Sequence, residues 1–145
     1  MMPKTHIYFG ILFAGLIYLV FPVIGIVGFL VLLSASILID IDHYSIYVWR
    51  KKDFSYKRSV EWFLDLQKKE TFEKRVSPIS LLHTVEVLAV IGVLAFFNQI
   101  FLFIFVAFMF HSICDTGLMV YEGKFFAREY SLIRYLKDYH HPRYI

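Results

Sequence analysis

The sequence contains little cysteine, proline or glycine: one Cys, four Pro and seven Gly in 145 residues. Cys114 has no second thiol in the chain with which to pair, so an intrachain disulfide framework is excluded. The sequence also has no Gly-rich phosphate-binding loop, no nucleophile-elbow serine motif and no Cys-x-x-Cys pair. Functions driven by ATP, serine-hydrolase functions and thioredoxin-like functions are therefore without support.

Charge is also scarce, because charged residues make up 19% of the chain and hydrophobic residues 59%. Soluble domains are nearer 45–50% apolar, so this composition is that of a membrane protein. Four apolar runs stand out, and the dipeptides Phe21-Pro22 and Asn98-Gln99 divide them into two hairpins. The pattern predicts an all-α, integral membrane four-helix bundle in one domain. The predicted spans are about residues 5–20, 23–41, 79–97 and 100–120 of the domain 1–145.

The distribution of basic residues predicts the topology. Lys4, the 50–76 segment and the 124–145 segment carry the basic residues, whereas both hairpin tips are uncharged. Positive charge marks the cytoplasmic side, so both termini and the 50–76 loop should be cytoplasmic. Both segments also mix aromatic, aliphatic and basic residues, which predicts interfacial helices, the first with Ser59 as its N-cap. A cleaved signal peptide is the competing interpretation of the N-terminus, but apolar sequence resumes at Val23 and no small-residue cleavage site precedes it.

Ionisable side chains gather near the predicted cytoplasmic ends of all four helices. They are His6, Asp40, Asp42, His43, His83, Glu86, His111 and Asp115. Asp40 and His43 are i, i+3, as are His83 and Glu86, and His111 and Asp115 are i, i+4, so each pair should share a helix face. An antiparallel bundle brings these ends into one layer. The sequence predicts a site for one or two divalent ions, with Zn²⁺ the best match and Mn²⁺ or Fe²⁺ as alternatives.

A structural interpretation competes with the metal site. Buried His–Asp and His–Glu pairs can fix the register of helices without binding any ion. His6, so near the N-terminus, is as well explained by packing as by ligation. Acids inside apolar helices are costly, however, and usually mark function, which favours a functional role for Glu86 and Asp115.

The order of the motifs points to a family. The four apolar runs carry His6 at the start of the first, DIDH after the second, a His early in the third and HSICD in the fourth. In this order of motifs the chain resembles the predicted membrane-bound, metal-dependent hydrolases of bacteria and archaea. In that family a Pro usually precedes the second-helix acids, and the third helix often begins with two histidines around an Arg. Here LIDIDH lacks the Pro and SPISLLHTVE has His83 alone, so that Glu86 would supply the missing ligand. The resemblance implies a prokaryotic cytoplasmic membrane protein with metal-dependent hydrolase activity.

The expected mechanism is hydrolysis by water that a metal activates, with Glu86 as general base and Asp42 as a second catalytic carboxylate. A basic rim formed by Arg50, Lys74 and Arg75 would attract anionic headgroups, which favours a membrane-lipid phosphoester as substrate. The expected partners are the bilayer and this lipid, with no nucleic acid. A divalent-ion carrier or sensor and a structural membrane protein with a buried polar network remain as alternatives.

Overall fold

The structure, a computed structural model, describes residues 3–69, 79–125 and 129–138. These residues form helices and turns and contain no strand, so the predicted all-α class is confirmed. The α-helices are α1 Pro3–Val20, α2 Gly25–Leu38, α3 Ile41–Lys51, α4 Tyr56–Lys69, α5 Val85–Ala95, α6 Gln99–Tyr121 and α7 Leu132–Asp138. Two 3₁₀ turns, Pro22–Ile24 and Leu81–His83, precede α2 and α5.

The first hairpin brings α1 and α2 into close contact. Between the helices, the chain turns through Pro22–Ile24 and through Gly25, whose φ of 61° lies in the left-handed region that favours glycine. Further along, Gly10 of α1 faces Ser36 of α2, and a Cβ added at Gly10 would lie 2.5 Å from Ser36 Oγ. The missing side chain therefore lets α1 approach α2 near the carboxyl end of α2.

A small apolar core joins α1, α2 and α6. Ala14, Leu32 and Ala107 are buried at its centre, and the rings of Phe13 and Phe110 stack with centroids 3.9 Å apart. Because α2 packs against both α1 and α6, it occupies the middle of this layer. On its other side, α6 packs against α5. This arrangement fixes α2 relative to α1 and α6, the helices that carry His6, His111 and Asp115.

The third apolar run is less helical than predicted. Its helix, α5, begins at Val85 and not at residue 79, because Leu81–His83 forms a 3₁₀ turn and Thr84 is extended with φ −83° and ψ 148°. The Thr84 hydroxyl donates a hydrogen bond to the Leu81 carbonyl at 2.8 Å, and Thr84 is fully buried. The helix predicted over 79–97 is therefore wrong at its start, and this changes where the side chains of His83 and Glu86 point.

The predicted 50–76 loop contains the end of α3 and the whole of α4. Helix α3 runs to Lys51 and ends at Lys52, whose φ is 53°. Helix α4 then begins at Tyr56, and Ser55 Oγ accepts a hydrogen bond from the Arg58 backbone amide at 3.4 Å. Ser55 thus has the position predicted for Ser59, and Ser59 lies inside the helix and is buried, so that N-cap prediction is wrong. Residues 70–76 lie outside the described part of the chain.

Asp53 holds the corner between α3 and α4 together. Its carboxylate accepts hydrogen bonds from Arg58 Nε at 2.6 Å and Nη2 at 2.7 Å, from the Ser55 amide at 3.0 Å and from the Tyr47 hydroxyl. The Arg58 guanidinium keeps the pKa of Asp53 well below its usual range. Four donors on one carboxylate fix the direction in which α4 leaves α3.

Two stretches of the described chain are long and apolar enough to cross a membrane, Pro22–Lys51 and Gln99–Tyr121. The other apolar helices, Thr5–Val20 and Val85–Ala95, are shorter. With 11 residues, α5 is roughly 16 Å long, against the ~30 Å of a bilayer core. Of the predicted C-terminal interfacial segment 124–145, the described residues include α7, while 126–128 and 139–145 lie outside them.

Candidate metal centre

Histidine and aspartate side chains from four parts of the chain meet at one end of the helices. Asp40 lies in the turn between α2 and α3, and His43 lies in the first turn of α3. His83 ends the 3₁₀ turn before α5, and His111 lies on the buried side of α6. The convergence expected for these four residues is therefore present in the fold, although the 40–43 segment, His83 and His111 are far apart in sequence.

One carboxylate oxygen lies at the centre of the group. Asp40 Oδ1 lies 3.4 Å from His83 Nε2, 3.5 Å from His111 Nε2 and 3.6 Å from His43 Nε2. The Nε2 atoms of His83 and His111 are 3.4 Å apart. Three imidazole nitrogens thus lie around one carboxylate oxygen, and we call these four side chains the four-donor set.

The other ring nitrogen of each histidine has its own partner. His111 Nδ1 lies 3.0 Å from the Ser36 carbonyl, which can only accept, so this nitrogen donates and carries the proton. His83 Nδ1 lies 3.5 Å from Asp42 Oδ2, and His43 Nδ1 lies 2.9 Å from Ser80 Oγ. In a neutral ring with Nδ1 protonated, Nε2 presents a lone pair, so the lone pair of His111 points at the Asp40 carboxylate and at His83 Nε2. Such an arrangement of acceptors is stabilised by a cation placed among them.

The distances fit a divalent ion. Zn–N bonds of about 2.0–2.1 Å in a tetrahedral centre place neighbouring ligand atoms about 3.3–3.4 Å apart. The triangle of Asp40 Oδ1, His83 Nε2 and His111 Nε2 has sides of 3.4, 3.5 and 3.4 Å, which match these edges, and His43 Nε2 lies 3.6 Å from Asp40 Oδ1. An outer carbonyl or carboxylate on Nδ1 is the usual support of a metal-ligating histidine. The prediction of a possible metal site is confirmed to this extent: buried His and Asp groups here can hold an ion.

His6 and Asp115 lie beside the four-donor set. His6 Nδ1 is 2.5 Å from Asp40 Oδ2, and His6 Nε2 is 3.3 Å from Asp115 Oδ1. The imidazole of His6 therefore bridges two carboxylates and holds the second oxygen of Asp40. Asp115 also has a carboxylate oxygen within 4.8 Å of ring nitrogens of His83 and His111. Both residues adjoin the centre, and the predicted shared face of His111 and Asp115 agrees with their common burial on α6.

Asp42, predicted as a ligand and catalytic carboxylate, lies behind His83. Its Oδ2 accepts a hydrogen bond from the Leu82 amide at 3.0 Å and faces His83 Nδ1, the nitrogen turned away from Asp40. Its Oδ1 lies 3.8 Å from His43 Nδ1. Asp42 thus contacts two of the donor histidines through their outer nitrogens, which is the position of an orienting group.

Glu86 points away from the four-donor set. Its carboxylate accepts hydrogen bonds from the Ser131 hydroxyl at 2.5 Å, the Leu132 amide at 2.9 Å and the Ile133 amide at 3.2 Å. The predicted shared face of His83 and Glu86 is wrong, because the extended residue Thr84 separates the 3₁₀ turn from α5. Glu86 therefore joins the start of α7 to α5, and it belongs to none of the described groups of potential ligands.

We expect the Glu86→Ala variant to release α7 while the metal site stays intact. Loss of a charged acceptor should speed hydrogen exchange at the Leu132 and Ile133 amides by about tenfold or more. The matched control is Glu122→Ala, since Glu122 is exposed and pairs with Lys124 at 3.3 Å. Exchange and metal content would be measured on the same samples. If Glu86→Ala loses its metal while Glu122→Ala keeps it, Glu86 is a ligand of the ion.

A pocket of about 620 Å³, counting the space that opens outward, lies against the centre. Its floor includes His6, Asp40, His43 and Asp115, and its opposite wall comes from Tyr44 and from α4. The side chains of Asp40 and His43 are 27% and 26% exposed, whereas those of His83 and His111 are 4% exposed. The centre is therefore accessible from the side of Asp40 and His43, and closed on the side of α5 and α6.

Sequence reasoning missed the groups that orient the histidines. The Ser36 carbonyl, the Ser80 hydroxyl and the contribution of α4 to the pocket wall were not predicted. No side-chain signal exists for the Ser36 carbonyl, because it is a backbone group and the Ser36 hydroxyl donates instead to the Leu33 carbonyl at 2.9 Å. No local signal exists for α4, because its position depends on tertiary contacts.

Fold and site together define an all-helical protein with two candidate membrane spans and a buried His–Asp cluster able to hold a divalent ion. Comparisons with models of protein families, with curated proteins and with solved structures gave no match. The functional argument therefore rests on the geometry of the site.

Proposed function

We propose that this protein is a membrane-embedded, metal-dependent hydrolase that cleaves a phosphoester at the cytoplasmic leaflet. The observation that carries this proposal is the set of three histidine Nε2 atoms around Asp40 Oδ1, beside a pocket that reaches Asp40 and His43. Three imidazoles with one carboxylate suit Zn²⁺, with Mn²⁺ and Fe²⁺ as alternatives. When bound, the ion supplies the Lewis acidity that activates water and polarises the phosphoryl group.

The side chains around the ion have three roles in this proposal: to orient the donor histidines, to accept a proton and to position the carboxylates. Asp42, Ser80 and the Ser36 carbonyl hold the donor histidines by their outer nitrogens. Asp115 lines the pocket next to the four-donor set, and we assign it the transfer of the proton from water. His6 holds Asp115 and Asp40 in register through its two nitrogens. In this assignment Asp115 replaces Glu86 as base.

Membrane insertion is supported by the surface of the helices. Large apolar side chains point outward on all four apolar helices, among them Leu19, Val27, Val90 and Ile113, which are 60–78% exposed. Exposed apolar surface of this extent is typical of contact with lipid. We propose that all four apolar helices lie in the membrane, with the short α5 reaching part of the way. Lys74 and Arg75, expected in a basic rim, lie outside the described residues, whereas Arg50 is exposed near the end of α3.

The charge bias gives a direct test of topology. We expect reporters fused after Ile145 or inserted near Lys68 to be cytoplasmic, and a reporter at Asn98 to be external. Asn98 lies in the exposed turn between α5 and α6, and insertions at exposed turns are tolerated better than insertions inside packed helices. Reporters near Lys68 and Asn98 on the same side of the membrane would rule out this topology.

Motif order supports the same class of activity. The DIDH and HSICD sequences, with His6 and His83, resemble those of the membrane-bound, metal-dependent hydrolase family described above. All four members of the four-donor set, Asp40, His43, His83 and His111, are among the residues that carry the resemblance.

Hydrolysis can be tested with purified protein loaded with Zn²⁺ or Mn²⁺. A panel of phosphatidyl and polyprenyl phosphates in micelles should yield phosphate release from at least one compound. The matched control is the His83→Ala, His111→Ala double variant, which should release none. Metal-loaded protein that cleaves no compound but moves the ion across proteoliposome membranes would replace this proposal with an ion carrier.

A further inference from the structure

The pocket beside the metal centre has walls of two different kinds. Its floor carries the carboxylates and imidazoles of the centre. Its outer wall is formed mainly by one face of α4, whose pocket-lining residues are Tyr56, Ser59, Val60, Phe63 and Leu64. None of these α4 residues is charged, and three of them are fully apolar. A molecule that reaches Asp40 must therefore pass along an apolar surface.

The amphipathic pattern of α4 places its charges on the other face. Lys57, Arg58, Glu61 and Asp65 are exposed, whereas Val60, Phe63 and Leu64 are half-buried toward the pocket. Tyr44, which also lines the pocket, already donates its hydroxyl to the Phe54 carbonyl at 2.8 Å. The described wall thus offers a polar substrate few partners, and burying unpaired polar groups against it would be costly.

The apolar surface begins directly at the centre. The Phe63 ring lies 4.7 Å, centroid to centroid, from the ring of His43, one of the four donors. Atoms next to a group held at Asp40 and His43 would therefore contact Phe63, and the following atoms would contact Val60 and Leu64. Each methylene buried on such a surface stabilises the complex.

The wall is fixed in place by α3. Trp62 packs on Tyr47 with centroids 5.7 Å apart, and Lys51 Nζ lies 5.8 Å from the Trp62 ring centroid. The hydrogen bonds from Arg58 to Asp53 hold the connection between the two helices. Because α4 is held by these contacts, its apolar face is available to a ligand without a prior rearrangement.

We propose that α4 is the specificity element of the site, and that it selects phosphoesters whose hydrocarbon chain begins next to the phosphoryl group. This inference rests on the proposed function and names its substrate class: lipid-chain phosphoesters, as opposed to sugar phosphates or nucleotides. Val60, Phe63 and Leu64 contact the chain, and the four-donor set faces the phosphoryl end.

Binding of phosphonates, which are not hydrolysed, tests this inference apart from hydrolysis. Co²⁺-substituted protein in nanodiscs would be titrated with methyl-, butyl- and octylphosphonate while the visible Co²⁺ spectrum is recorded. Extension from butyl to octyl should tighten binding by up to about 200-fold, a limit set by full burial of the four added methylenes. The Leu64→Asn variant should lose most of this dependence on chain length, and the control Glu61→Gln, on the exposed face of α4, should keep it.

The possible results separate the two proposals. A wild-type protein that binds butyl- and octylphosphonate equally, or gives no spectral change with either, contradicts the role of α4. An unchanged chain-length dependence in Leu64→Asn contradicts it also. Should Leu64→Asn lose the Co²⁺ spectrum, the same comparison is made with Val60→Asn, which changes the same wall one turn earlier. Phosphonates are not cleaved, so their binding is measured independently of hydrolysis. The chain-length dependence can be absent in a protein that hydrolyses esters, and it can be present in a protein that hydrolyses none.

Discussion

The Asp40→Asn variant should bind Zn²⁺ more than about 100-fold more weakly than the wild type, which exceeds the usual cost of losing an outer partner. Asp40 Oδ1 is the atom that the Nε2 atoms of His43, His83 and His111 all face. An amide removes the only negative charge among the four donors, and a neutral oxygen is a poorer ligand for a divalent cation. Affinity would be measured by competition with a chromophoric chelator.

The control for this measurement is Asp65→Asn, the same chemical change on the exposed face of α4. This variant should leave Zn²⁺ affinity within about threefold of the wild type, since the charge of a solvent-exposed side chain is largely screened by salt. Equal affinity of Asp40→Asn and wild type would mean that the ion lies elsewhere, and the four-donor set would then be a hydrogen-bonded network that fixes the helices.

The Asp115→Asn variant should keep its metal and lose about 10²–10⁴-fold in kcat, the range assigned to a positioned general base. Asparagine preserves the volume of Asp115 and a hydrogen bond with His6 Nε2, which is now 3.3 Å from Asp115 Oδ1. It cannot take a proton from water. Metal content and kcat would be measured on the same preparation, with the best substrate of the phosphoester panel.

Two other results are informative for Asp115. If Asp115→Asn loses both metal and activity, Asp115 is a ligand of the ion. Its carboxylate lies close enough to His83 and His111 to bind an ion together with them. If it keeps both, another group accepts the proton. The conservative control is Ser112→Ala, one turn earlier on α6, which should change kcat by less than about threefold because the buried Ser112 hydroxyl has no hydrogen-bond partner among the described residues.

The convergence of the site follows from the sequence because it depends on helix periodicity and order. Asp40 and His43 are three residues apart, and His43 Nε2 does lie near Asp40 Oδ1, at 3.6 Å. His111 and Asp115 share the buried side of α6, as their spacing indicates. Such pairings need only local geometry and the antiparallel packing of apolar helices, both of which can be read from the residues.

The roles of Glu86 and α4 could not be read in this way. One extended residue, Thr84, separates His83 from α5, and a run of apolar residues contains no sign of that break. The hydrogen bonds of Glu86 with Ser131, Leu132 and Ile133 depend on where α7 lies. Hydropathy predicts that the 50–76 segment is amphipathic, but the surface that its apolar face covers is decided by the corner at Asp53, a tertiary feature.

Metal analysis of protein purified without nickel resin or chelator tests the central claim most directly. The account predicts at least about one equivalent of a divalent ion, with X-ray absorption showing imidazole and oxygen ligands at about 2.0–2.2 Å if the ion is Zn²⁺. The His83→Ala, His111→Ala double variant should retain almost none. Wild-type protein that contains no ion and takes up none from added Zn²⁺, Mn²⁺ or Fe²⁺ would contradict the account.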